Sequence, residues 1–143
     1  MILCLETAGG LLVLLAVLHI GFPRYFRWKE EFMPVSLINR QMVYFHTFFL
    51  ALIVLLMGIL CLLAADDLLN THLGHMIDLG LALFWMVRLL VQFFGYASEH
   101  WRGKRFEWWI HVLFSVLWIF FTTVFLLASG VWGQTVTSYC HSK

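Results

Sequence analysis

Apolar residues run along this chain in four long blocks, about Leu3 to Phe22, Gln41 to Ala64, Leu73 to Tyr96 and Phe106 to Ser129, parted by short polar stretches. About 20 apolar residues make a helix long enough to cross a hydrocarbon core of about 30 Å at 1.5 Å per residue. The pattern predicts an all-α integral membrane protein of four transmembrane helices that together make a single domain. Connections this short force neighbouring spans to run antiparallel, so an up-down four-helix bundle is the expected packing. The first block is expected to stop at Pro23, where a helix loses a donor and meets the proline ring. The stretch 23–39 mixes Arg24, Arg27 and Lys29 with Tyr25, Phe26, Trp28 and Phe32, and suits the headgroup layer. Asp66, Asp67 and Asn70 mark an exit into water.

The first block also resembles the apolar core of a secretion signal. However, it carries Glu6 in place of a basic leader, and Pro23 and Arg24 follow it in place of a small-residue cleavage site. It is read as a retained helix.

Composition agrees with the pattern. The 143 residues are 62% hydrophobic and 12% charged, against roughly a quarter charged in soluble domains. The formal net charge of +1 gives no electrostatic footprint for nucleic acid. The layout of charge says more than its sum. Arg24, Arg27, Lys29 and Arg40 flank the first connection and Arg102, Lys104 and Arg105 the third, while the second has no lysine or arginine and the ends have only Lys143. Seven against one in short segments is a strong positive-inside signal. Both termini are therefore expected outside, which in a bacterial inner membrane means the periplasm.

Three cysteines, Cys4, Cys61 and Cys140, show no CxxC or CxxCH spacing, so a zinc ribbon and covalently attached haem have no support. A Cys4–Cys140 disulfide and unpaired thiols both remain open. Nucleophile-elbow, HExxH and Walker motifs are absent, and there are neither inverted repeats nor broken helices of the transporter kind.

The candidate chemistry lies at the basic ends of the spans. By sequence position His19, His46 and His111 fall about 5 to 8 Å inside the cytosolic boundary, on three different helices. Glu107, His111, Ser115, Trp118 and Thr122 form one stripe on the fourth span, and Asp78, Trp85, Arg88, Gln92 and Tyr96 form one on the third. Such stripes belong inside protein, because an unpaired polar group in hydrocarbon costs several kcal/mol. Arg88 lies about 12 Å from its helix end and requires a carboxylate, a carbonyl oxygen or an anionic ligand.

Imidazoles on facing helices are what a b-type haem needs, with Arg88 and Gln92 as further cofactor contacts. His19, His46 and His111 with Glu107 would equally suit a transition metal. Of the pairs, His46 with His111 is favoured, Glu107 lying one turn from His111. The same residues also suit a polar layer with no cofactor. Two functions are therefore carried forward. One is a small redox component holding haem or a metal and exchanging electrons with quinone. The other is a non-catalytic accessory subunit in lipid that stabilises a larger membrane complex. His72 and His75 with Asp66, Asp67 and Asp78 are read as solvated groups at the opposite end.

Overall fold

A computed structural model describes residues 1–94 and 105–131, the side chains of residues 105–107 excepted. Among them it contains six helices and no strand. These are α1 (Ile2–Tyr25), α2 (Trp28–Glu31), α3 (Leu37–Leu63), α4 (Ala65–Asn70), α5 (His72–Phe94) and α6 (Arg105–Ala128). Four of them, α1, α3, α5 and α6, are long and apolar enough to cross a membrane. Four spans are thus present where the hydrophobic pattern placed them.

The ends differ from expectation in instructive ways. Pro23 lies inside α1, which runs on to Tyr25. A proline within a helix's last turn removes one hydrogen bond but leaves little helix beyond it to disrupt. The chain turns at Arg27, a left-handed residue with φ 47° and ψ 41°, and α2 begins directly after it. Within the expected interfacial loop, therefore, lie a short helix and the first turn of α3, which starts at Leu37. The acidic exit after α3 is likewise helical, and Leu68 of α4 is buried.

Two compact units divide the chain, Leu3–Ala65 and the remainder. In the first, α1 buries Leu5, Ala8, Gly9, Leu12, Leu15 and Ala16, a stripe at helical spacing. On α3 the buried residues are Val54, Gly58 and Cys61. The helices cross where two glycines meet: a methyl group on Gly58 would sit 2.9 Å from the Gly9 carbonyl oxygen and 3.0 Å from the Val13 nitrogen. This is close packing of small residues, the usual device where lipid removes the hydrophobic drive between helices. Gly9 meets Cys61 and Leu62, Val13 meets Gly58, and Trp28 meets Tyr44. One number falls as the other rises, so α1 and α3 are antiparallel.

In the second unit α5 and α6 form an antiparallel hairpin, with Gln92 against His111, Trp85 against Trp118 and Phe121, and His75 against Gly130. Its centre is aromatic. Trp85 and Trp118 stack at 5.0 Å, and Phe121 lies 4.8 Å from Trp85. At the other end of the hairpin, α4 folds back so tightly that any side chain on Gly74 would strike the backbone of Asp67 and Leu68.

Candidate functional site

The polar stripes of α5 and α6 are turned inward: Asp78, Trp85 and Gln92 are buried on one helix, Ser115 and Trp118 on the other. Between them lies a hydrogen-bonded chain. Arg88 Nη1 donates to Gln92 Oε1 at 3.4 Å, and Gln92 Nε2 lies 2.8 Å from His111 Nδ1. The arginine has no acceptor capacity, so it holds the amide oxygen and leaves the amide N–H to face the imidazole. His111 Nδ1 therefore accepts, and the neutral ring carries its proton on Nε2.

The other face of Arg88 rests on an indole. Its guanidinium carbon is 5.1 Å from the centroid of the Trp118 ring, a cation–π geometry that gains strength away from water. Among the described residues no carboxylate lies within ion-pair distance of Arg88, and Arg27–Glu30 is the ion pair present. The intramembrane cation is therefore stabilised by an amide and an aromatic face.

His19 and His46 are bonded differently. His19 Nδ1 lies 2.7 Å from the Leu15 carbonyl oxygen, and His46 Nδ1 lies 2.9 Å from that of Met42. A carbonyl can only accept, so the proton of each neutral ring sits on Nδ1 and Nε2 presents its lone pair. Metal-bound histidines have this same arrangement, the outer N–H given to a carbonyl and the other nitrogen open.

Register separates these two. Carried along both helices from Val13 opposite Gly58, it sets His19 level with Leu52 and His46 level with Tyr25. A step of six residues is about 9 Å of helix axis. The two are staggered, whereas counting from the expected span ends gave them one depth; α1 overruns Pro23 and α3 starts four residues before Gln41.

Surroundings differ too. His19 is half-buried and packs its ring 4.7 Å from Phe22. His46 is exposed and lines an open groove of about 640 Å³ whose lining, Gln41 and otherwise apolar residues from Ile38 to Ile53, belongs to one side of α3. A volume of that order falls in the range of small-molecule and cofactor sites, which are apolar with a few placed polar groups. No residue of α3 from Leu37 to Ile53 is buried.

The side chain of Glu107 lies outside the described residues, as do Tyr96, His100, Cys140 and His141. Among the described residues no group of three or more His, Cys, Asp or Glu side chains gathers as a metal site. Cys4 is exposed and Cys61 buried. Comparison with protein families, with curated proteins and with solved structures finds no match.

Asp78 carries two expectations, inside with its stripe and solvated with Asp66 and Asp67, and only the first matches its burial. Asp66, Asp67 and His72 are exposed as expected, but Asp78 is fully buried and His75 half-buried. The stripe through Asp78, Trp85 and Gln92 contained the signal, since a residue sharing a face with a buried tryptophan is itself inside.

Proposed function

We propose that this chain is a small integral membrane redox component that holds one b-type haem or transition-metal ion and exchanges electrons with quinone. Its setting in this reading is a bacterial inner membrane, with both termini periplasmic. His46 carries the proposal: its Nδ1 is fixed on the Met42 carbonyl, its Nε2 is presented as a lone pair, and it lines an apolar groove of about 640 Å³. In this reading His46 would be the residue that holds the group, and the apolar side of α3 would lie against a tetrapyrrole's hydrophobic surface. When bound, the iron or copper centre would supply the one-electron step; the chain's own part is to present the imidazole beside an apolar surface.

His19 presents the same tautomer and is a second candidate ligand. His111, whose Nδ1 is engaged by Gln92, is the third histidine of this reading. Arg88 and Gln92 are in this reading the polar groups that set the His111 tautomer.

The test is a reduced-minus-oxidised visible spectrum of the purified protein, together with metal analysis. A difference spectrum in the haem region, or about one redox metal per chain, supports the reading. A protein purified intact with neither would refute it. Orientation is tested separately. Cysteines placed between residues 24 and 31 should resist an impermeant thiol reagent in intact cells, and cysteines between 66 and 71 should react; the reverse labelling overturns the assignment.

A second reading has its own observation. Half of α3 is without a buried residue and shows Phe45, Phe48 and Phe49 on its surface, a face suited to packing on another subunit of a larger membrane complex. A stoichiometric partner in mild detergent and no spectrum would favour that accessory role.

A further inference from the structure

The polar groups of α5 that the proposed redox site does not use lie at its other end. Asp78 is six residues into the helix, about 9 Å along it, and is 0% exposed. Neither of its carboxylate oxygens has a hydrogen-bond partner, and His75 Nδ1, one turn away, is buried and unpartnered as well. A buried carboxylate left unpaired costs far more than a buried amide or hydroxyl, and buried charges are therefore paired or coordinate metals. Two carboxylate oxygens, with an imidazole nitrogen that accepts when the ring proton lies on Nε2, can together hold a cation.

The surroundings are built rather than loose. Gly130, at φ 65°, approaches His75 so closely that a methyl group added there would lie 3.0 Å from both Nδ1 and Cε1 of the ring. Gly74 allows α4 to close against the start of α5. Residues three apart on a helix share a face, with Cβ atoms about 5 to 6 Å apart. One ion at about 2.0 to 2.2 Å from each donor can therefore be reached by both.

We propose that His75 and Asp78 bind a divalent transition-metal ion. The donor set selects the class of ion: calcium and magnesium take oxygen shells, whereas imidazole with carboxylate suits zinc, cobalt, copper or iron. Two protein ligands leave positions for water or an external ligand, the open form of site rather than the closed four-ligand structural form. The site is separate from His46 and does not depend on the redox reading.

The experiment uses the full chain in detergent micelles, stripped with a chelator and titrated with Co²⁺, whose ligand-field bands report nitrogen and oxygen coordination, and then with Zn²⁺ in competition. On a His46→Ala background, which removes the proposed redox ligand, we expect one Co²⁺ per chain, displaced by Zn²⁺, with affinity reduced at least about tenfold by Asp78→Asn or His75→Ala. Circular dichroism checks that each variant folds, and His75→Gln replaces His75→Ala if packing against Gly130 fails. The proposal is overturned if the wild-type protein binds no Co²⁺ below about 1 mM. It is equally overturned if the His46→Ala protein binds no Co²⁺, or if folded Asp78 and His75 variants bind as that parent does. A folded Asp78→Asn protein that gains stability while wild type takes no metal would show that the carboxyl is simply protonated.

Discussion

The α5–α6 pair and the α1–α3 pair are built from helices of similar length and apolarity, yet different contacts hold them. Along α5–α6 the contacts are continuous: Gly74 under α4, His75 at Gly130, the Trp85–Trp118–Phe121 cluster, then Arg88, Gln92 and His111. The α1–α3 pair is packed at one end only, around Gly9 and Gly58, with its buried residues confined to Leu5–Ala16 and Val54–Cys61. Both of its histidines lie in the other half, their Nδ1 atoms on their own helices. At one end of the hairpin Arg88, Gln92 and His111 satisfy one another and fix a register, while Asp78 and His75 at the other end do not; in the α1–α3 pair, each imidazole bonds only its own helix through Nδ1. A ligand or partner is best accommodated where internal packing has not already consumed the polar atoms.

Breaking the aromatic centre of the hairpin should have the largest effect on stability. Trp118→Ala removes a buried ring that stacks on Trp85 and supports Arg88, and should cost about 3 kcal/mol or more. It is measurable as a lowered midpoint in SDS unfolding followed by helical circular dichroism. A loss below about 1 kcal/mol would show that the cluster does not hold the hairpin.

Next comes the glycine crossing. Gly58→Leu drives a side chain against the Gly9 carbonyl and the Val13 backbone and should cost about 1 to 3 kcal/mol. Gly80→Leu is the control, since nothing lies within 4 Å of that position. If the two variants unfold alike, α1 and α3 do not cross at those glycines.

Gln92→Leu should have a smaller effect, about 1 kcal/mol, in line with interhelical hydrogen bonds in membranes. It also frees His111 Nδ1 to take the proton. Imidazole ¹⁵N shifts should then move away from the Nε2–H tautomer; an unchanged spectrum would mean that Gln92 does not set the ring's proton.

Four spans were legible because a run of about 20 apolar residues has few other fates. Their ends were less so. Pro23 reads as a stop in sequence but costs little in a last turn, and α2 and α4 are too short to leave a periodic signal. The inward stripes of α5 and α6 were visible from helical spacing. The resting place of Arg88 was not, because an amide four residues on and a tryptophan thirty residues away are joined only by the hairpin's register. Depth matching of His19 and His46 relied on span ends that moved. Asp78 reads both as a member of the inward stripe and as a solvated neighbour of Asp66 and Asp67, and its place on the buried face of Trp85 follows the stripe.

In the proposed function His46, in the unpacked half of α3, ligates a redox centre. His46→Ala should change stability by less than about 0.5 kcal/mol, as an exposed side chain does, while its effect on cofactor content should be large. The decisive measurement is the reduced-minus-oxidised difference spectrum and bound metal per chain of His46→Ala beside wild type, His19→Ala and His111→Ala, all purified at equal helicity. The account predicts a clear signal in wild type that falls sharply in His46→Ala. A second histidine removed from that variant should add little, because ligands of one centre are not additive. A wild-type signal that survives unchanged in His46→Ala, or no signal in any of the four proteins, would contradict it.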